Sequence, residues 1–342
     1  MGDQLNQKLI NSFALDAPLG LANGKMGFCF FAFWLARCEN SSKYWKAAES
    51  LLEDIFNRAV HTPVINVMNG VAGIGLAVRY LIKESFVKGN PNSILGDVDN
   101  KLFKHLSYLV YLNNMSTLSV IHILFYLSLR LNDQKRGSEP EYLYQELIIA
   151  LVNHIYQKAD AAFYDEPATF SVAWPLPQFL FVLGRIYHLN FYNYRIIKIM
   201  EEVGAKVLSI LPTLHANRLI LMWGMDAVVR QVNMTGWNSH IELLKERTDI
   251  NTVLDDELRS KNIFIDNGLS GLYLLLSALQ KYFSKDEVQL WMTKIIDRIE
   301  SSDVWALIEQ KPDYLMQNRG LLSGLCGVSM VLADAKSKYS LV

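Results

Sequence analysis

One four-residue pattern, two small residues separated by two others, opens apolar stretch after apolar stretch along this chain. A fixed unit repeated in that way restricts the fold to a repeat architecture. It reads Gly24-Lys-Met-Gly27 before FCFFAFWL and Gly70-Val-Ala-Gly73 before IGLAVRYL. It returns as Gly268-Leu-Ser-Gly271 before LYLLLSAL and Gly324-Leu-Cys-Gly327 before VSMVLA. A shift of 46 residues lays Gly24 on Gly70 and Gly27 on Gly73. A second equal shift reaches Ser116-Thr-Leu-Ser119, where serine stands for glycine. Two degenerate copies fill the interval, Ser171-Val-Ala-Trp174 ahead of PLPQFLFVLGRIY and Leu221-Met-Trp-Gly224 ahead of MDAVVRQV. Seven units of roughly 49 residues result, each with room for two helices and their connections.

Between the apolar helices lie one-sided ones. Tyr44 to Val60 places Ala47, Leu51, Ile55 and Val60 on one stripe, with Glu49, Glu53 and Arg58 off it. The segments Glu141 to Tyr156, Arg195 to Leu211 and Glu287 to Ile299 behave alike. One helix of each pair touches protein on most sides and its partner faces water on one, as two layers demand. In the fourth unit Trp174-Pro175-Leu176-Pro177 excludes an ordinary helix interior, so that helix starts at or after the prolines. No stretch reads as a linker, and residues 1–342 are expected to form one domain.

With 51% apolar and 20% charged residues, the chain can bury a large core. Its net charge is −1 and no Lys/Arg cluster could track a phosphate backbone, so nucleic acid is an unsuitable partner. Cys29, Cys38 and Cys326 are odd in number and form no Cys-x-x-Cys, which fits a reducing, cytoplasmic compartment. The apolar run Met26 to Ala36 is too short to span a bilayer and lacks signal-peptide geometry, so no membrane role is expected.

Small residues three apart let a helix end approach another backbone closely. Gly24, Gly27, Gly70, Gly73, Gly268, Gly271, Gly324 and Gly327 are therefore read first as structural turns. If these helix starts face a common axis, their free N–H groups make a shared mouth mildly favourable to anions, and that mouth is the natural place for a ligand.

At these residues the chain resembles a known family. GLANGKMGFCFFAFWLAR, followed by NVMNGVAGIGLAVRYLIKESFVKGNPNSILGDVDNKL, resembles the opening of the lanthionine synthetase C-like (LanC-like) proteins, and NRGLLSGLCGVSMVL resembles their last repeat. The likeness is closest to the version found beside peptide-modification genes in Bacteroidetes. It is specific in the first 110 residues and the last two repeats, and weak from about 130 to 240. It implies an all-α fold, an α/α toroid of about seven helix pairs whose inner helices are headed by glycine-rich turns. It also implies a role in maturation of a ribosomally made, lanthipeptide-type peptide, with the precursor and a peptide-modifying enzyme encoded nearby as partners.

Active members of that family hold one zinc ion, which activates a precursor cysteine for addition to a dehydrated serine or threonine. Their ligands are a cysteine in a Trp-Cys-x-Gly turn of the fifth repeat and a Cys-His pair before the sixth repeat's glycine. Here Trp223 is followed by Gly224, and Asp266-Asn267 precede Gly268. The thiolate and imidazole ligands are missing, so no metal and no other cofactor is expected. The family's catalytic histidine before the fourth turn is also absent from Ser171-Val-Ala-Trp174. Whether the chain is an enzyme is left open by these losses.

Other residues keep two readings. Asp266, Asn267 and Asp226 could offer oxygen to Mg²⁺ or Ca²⁺, or Asp266 and Asn267 could simply cap a helix. Asn23, Asn69 and Asn267 share the place before the first glycine and read as inherited caps, or as amides presented to a peptide. Trp174 and Trp223 either fill the mouth or form a shelf for a ligand. His122 is a core histidine or a general base, and Arg319 a solvated loop residue or a carboxylate partner. The candidate substrate-binding set is thus Trp174, Trp223, Asp226, Asp266, Asn267 and Arg319. Functionally, a non-zinc modifying enzyme or a substrate-binding scaffold comes first. A carbohydrate-active enzyme on a helical toroid, which would need paired carboxylates, and a catalytically inactive binding module are the alternatives.

Overall fold

The computed structural model describes residues 2–13, 17–59, 61–108 and 112–339. The chain is 70% helix, and no strand occurs among the described residues. None of the described helices is long and apolar enough to cross a membrane.

After α1 (Gly2–Ser12) the repeats begin, each an apolar helix and a more polar one. They run α2 (Lys25–Cys38) with α3 (Ser42–Ala59), α4 (Val71–Lys83) with α5 (Gly96–Leu106), and α6 (Thr117–Leu131) with α7 (Glu139–Lys158). Next come α8 (Pro175–Leu189) with α9 (Asn193–Val207), and α10 (His215–Val229) with α11 (Trp237–Glu246). The series closes with α12 (Leu269–Leu279) and α13 (Lys285–Glu300), the short α14 (Val304–Gln310) and α15 (Pro312–Gln317), and α16 (Leu325–Tyr339).

Burial follows the sequence contrast. In α2 ten of fourteen residues are buried, whereas α3 buries only Tyr44, Ala48, Ile55 and Ala59. The α3 stripe is therefore turned by about one residue from the expected one: Ala48 rather than Ala47 meets the core, and Leu51 is half-buried. Val60 lies outside the described residues.

The fourth repeat starts as its prolines require, with Trp174 as N-cap and Pro175 in the first helical turn. The fifth does not. Its helix opens at His215, so Leu221-Met-Trp-Gly224 lies inside α10 rather than ahead of a helix. Gly224 is small for another reason. A Cβ there would stand 2.5 Å from the Pro177 carbonyl oxygen of α8, and one at Gly184 of α8 would stand 2.4 Å from that of Ala227. The two helices cross backbone to backbone, and the small-x-x-small pattern marked that crossing instead of a turn.

The residues group into two compact units. One comprises Met1–Asn113, Ser260–Ser270 and Ile296–Val342; the other Asn114–Arg259 and Gly271–Ile295. The first unit brings the chain's two ends together. The Ser329 hydroxyl of α16 donates to Asn6 of α1 at 2.6 Å, and Arg319 donates to the Ser12 carbonyl.

Candidate functional site

The first unit holds the glycine turns of repeats one, two, six and seven, and all four are built alike. The first helical N–H donates backwards to the carbonyl six residues before the glycine. The pairs are Lys25 to Pro18 (2.8 Å), Val71 to Val64 (3.0 Å), Leu269 to Asn262 (2.8 Å) and Leu325 to Asn318 (2.7 Å). The second N–H repeats this from Met26 to Leu19, Ala72 to Ile65 and Ser270 to Ile263, at 3.1 to 3.3 Å. These donors were expected to be free and to make an anion-friendly mouth. They are occupied by the loop itself, so that expectation is corrected for these turns.

The same closure explains the glycines. A Cβ on Gly24, Gly70 or Gly268 would lie 2.4 Å from the oxygen that accepts the first helical N–H. On Gly27, Gly73 and Gly327 it would lie 2.0 to 2.3 Å from the carbonyl oxygens of Leu21, Val67 and Leu321.

Successive turns are also stitched to one another through repeat-equivalent backbone atoms. Ile265 and Asp266 N–H both donate to Leu322 (3.1 and 3.2 Å), and Leu321 and Leu322 N–H both donate to Ala22 (2.8 and 3.0 Å). Ala22 N–H in turn donates to Met68 (3.1 Å). The last repeat is thereby joined to the first within this unit.

Side chains on this stitched edge differ from the expectations. Asn23, Asn69 and Asn267 are exposed, and Gly24 and Gly70 take the N-cap place with no side-chain cap. The inherited-cap reading is therefore corrected for Asn23 and Asn69: the turn carbonyls already hold the donors a cap would serve. Asn23 instead accepts a hydrogen bond from Ser323 N–H of the neighbouring turn, at 3.4 Å. Asp266 is half-buried, and its Oδ1 is sealed from solvent without a hydrogen-bond partner among the described residues. Arg319 is buried, its guanidinium 4.9 Å over the Phe28 ring, and burial pulls its pKa down.

In the second unit the helix starts are made by side chains. Ser116 caps α6, accepting from Ser119 N–H at 3.3 Å. The start of α10 is held by two glutamates that the sequence reading did not single out. Glu166 accepts from Thr213 N–H (2.6 Å), Leu214 N–H (2.8 Å) and the Asn217 amide (2.9 Å). Glu257 accepts from His215 N–H (2.6 Å) and Ala216 N–H (2.9 Å). Four consecutive N–H groups are thus taken by carboxylates 40 or more residues away in the chain, a distance no local motif reveals.

The remaining candidates here fall into place separately. Trp174 is fully buried and serves as core, leaving no face for a ligand shelf. Trp223 is half-buried in α10 and stacks on Phe181 at 4.5 Å. Asp226 lies eleven residues into α10, about 16 Å from its start at 1.5 Å per residue. It receives Tyr282 and Lys281 on Oδ1 (both 2.6 Å) and Arg230 on Oδ2 (2.5 Å). Burial works to raise the Asp226 carboxyl, but the hydrogen bonds from Lys281, Tyr282 and Arg230 outweigh it and hold it below the usual range. It is an ion-pair hub away from the helix start, because α10 begins earlier than the glycine pattern implied.

His122 of α6 donates from Nε2 to Gln178 Oε1 at 2.7 Å, the Gln178 amide being fixed by the Val172 carbonyl at 2.5 Å. Its Nδ1 is buried without a partner, and burial lowers its pKa, against the Gln178 bond, so the ring is held neutral. The buried thiols of Cys29 and Cys326 are pushed up by desolvation, and Cys38 is raised by burial and by Glu39. None of the three is an activated nucleophile.

Gly224, which follows Trp223 inside α10, and Asp266 and Asn267 before Gly268 offer neither sulfur nor imidazole, so these residues do not fit the family's zinc ion.

No family model and no curated protein matches the chain. Solved structures do, among them a nisin cyclase with a TM-score of 0.66 and 14% identity, over 99% of this chain and 94% of that one. This establishes the fold class expected from the repeats: all-α, of the helical-toroid LanC-like type.

Proposed function

We propose that this protein is a LanC-like binding scaffold in the maturation of a ribosomally made, lanthipeptide-type peptide, holding its precursor without a zinc ion. The LanC-like fold over the whole chain is the observation that carries this reading. Against zinc activation of the precursor thiol stand Gly224, Asp266 and Asn267 where the resemblance puts the family's ligands. Scaffold is favoured over modifying enzyme because the candidate catalytic groups are committed elsewhere. Asp226 has three partners, the thiols of Cys29 and Cys326 are buried, and the one unpartnered nitrogen of His122 is sealed from solvent.

The carbohydrate-active alternative loses support at Glu166 and Glu257. Paired carboxylates of a glycosidase must include one that keeps a proton to give away. Here both oxygens of each glutamate are taken by N–H donors at the start of α10, so neither carboxylate is offered to a substrate. A peptide-modifying enzyme encoded nearby remains the proposed partner, and the cytoplasm the proposed compartment.

The test is elemental analysis of purified protein together with calorimetric titration of the precursor peptide encoded beside its gene. The expected result is no stoichiometric zinc, a melting temperature unmoved by chelator, and binding of the precursor. Trp223→Ala should weaken that binding by about 1–3 kcal/mol, as for an aromatic anchor. One zinc per chain overturns the zinc-free reading, and a precursor that does not bind overturns the peptide reading.

A further inference from the structure

The first unit contains a cleft of about 700 Å³ that the proposed function does not use. It lies between α1, the last turn of α2 and the outer half of α16, with Glu300 of α13 and Trp305 of α14 closing one side. Trp34 and Leu35 stand nine and ten residues into α2, about 14 to 15 Å along the helix from the Gly24 turn. The cleft is therefore separate from the stitched edge of turns.

Its walls combine two features. Leu35 and Leu332 make an apolar floor, and the half-buried indoles of Trp34 and Trp305 flank it. The Trp305 ring is locked by its own N–H, which donates to the Ile299 carbonyl at 2.7 Å, and the Trp34 ring stacks on Phe31 with centroids 6.4 Å apart. The rim carries Glu39 and Glu300 beside one ammonium, Lys336, and a third carboxylate, Asp334, that is paired with Lys338 at 2.8 Å. Glu39 is fixed in place by the Asn6 amide at 3.2 Å, itself anchored by the Ser329 hydroxyl at 2.6 Å. Arg37, which might have balanced the rim, lies against the Phe86 ring and donates to the Glu84 carbonyl.

Aromatic faces within an acidic rim recognise a cation, and an apolar floor beside them recognises an aliphatic side chain. We infer that this cleft docks a peptide segment that presents an arginine or lysine next to an apolar residue, away from the glycine turns. The source of that segment, the precursor peptide, rests on the function proposed above; the chemistry of the cleft does not.

The experiment is calorimetric titration of the full chain with two synthetic probes, Ac-Leu-Arg-Leu-Arg-Leu-NH2 and its glutamate counterpart, against wild type and Glu300→Lys. Glu300 is exposed and ends α13, where a lysine suits the helix dipole better than a glutamate, so the variant is expected to fold. The arginine probe should bind wild type, bind Glu300→Lys at least tenfold more weakly, and lose affinity with added salt. The glutamate probe should not bind. Equal binding of both probes, an unchanged affinity in Glu300→Lys, or no binding of the arginine probe each overturns the proposal. Failure of the peptide-maturation reading looks different: the arginine probe binds wild type and not Glu300→Lys, while the precursor binds neither.

Discussion

The two units solve one problem, the unsatisfied N–H groups at the start of an apolar helix, by different chemistry. In the first unit the preceding loop folds back and its own carbonyls accept the helix donors, which demands glycine at two places per turn. In the second unit Ser116, Pro175 and the paired carboxylates Glu166 and Glu257 do the same work with side chains or by removing a donor. The backbone solution leaves a strong local signature in sequence, and the side-chain solution leaves almost none. The likeness is accordingly specific in repeats one, two, six and seven and fades from about 130 to 240, where the helix starts no longer require glycine.

That contrast can be broken most sharply at a first-unit glycine. Gly70→Ala places a Cβ 2.4 Å from the Val64 oxygen, and backbone rather than a flexible side chain must move. A loss of about 3 kcal/mol is expected from urea unfolding. Gly96→Ala is the control: nothing lies within 4 Å of the new methyl, so stability should hold or rise by about 0.5 kcal/mol. Equal effects from the two would show that turn closure is not what fixes these glycines.

The second unit should respond to loss of a carboxylate. Glu166→Ala strips two backbone N–H groups of their acceptor and leaves the Asn217 amide only the Pro167 carbonyl, with an expected cost of about 2 kcal/mol. If unfolding shows no loss, water replaces the glutamate adequately and the second half of the comparison fails.

A smaller effect is expected from the ion-pair hub. Asp226→Asn should cost about 1 kcal/mol at neutral pH, a figure kept low because Arg230 and Lys281 are half-exposed and screened. The Asp226 carboxyl is depressed in the folded chain, so its contribution is full above the ordinary carboxylate range and fades as pH falls through its native value. The gap between variant and wild type should therefore narrow from pH 7 to pH 3. A gap that stays constant would assign the loss to packing.

How far the sequence could be read follows from the same physics. Gly24, Gly70, Gly268 and Gly324 each stand one residue before a helix, and a turn that closes on its own carbonyls is a local event that leaves its trace in short-range spacing. Gly224 was misplaced because a small residue at a helix crossing leaves the same trace, and this moved Trp223 and Asp226 from a helix start into the body of α10. Arg319, read as a solvated loop residue or a carboxylate partner, is buried against Phe28 and the Ser12 carbonyl, and Trp174, read as filling the mouth or forming a shelf, is buried in the core. His122 is a core imidazole, one nitrogen bonded to Gln178 and the other sealed from solvent without a partner among the described residues.

By itself the sequence determined the all-helical repeat, the alternation of apolar and one-sided helices, and the absence of sulfur and imidazole at Asp266 and Asn267. Each of these is set by residue type and short-range spacing. Only the tertiary structure decided where the fifth repeat's helix begins, that Glu166 and Glu257 cap it, that the turn N–H groups are occupied, and that Trp34 and Trp305 flank an acid-rimmed cleft. Those outcomes depend on groups brought together from 40 to about 300 residues apart in the chain, and hydrogen bonds and burial over such separations have no period or motif to betray them.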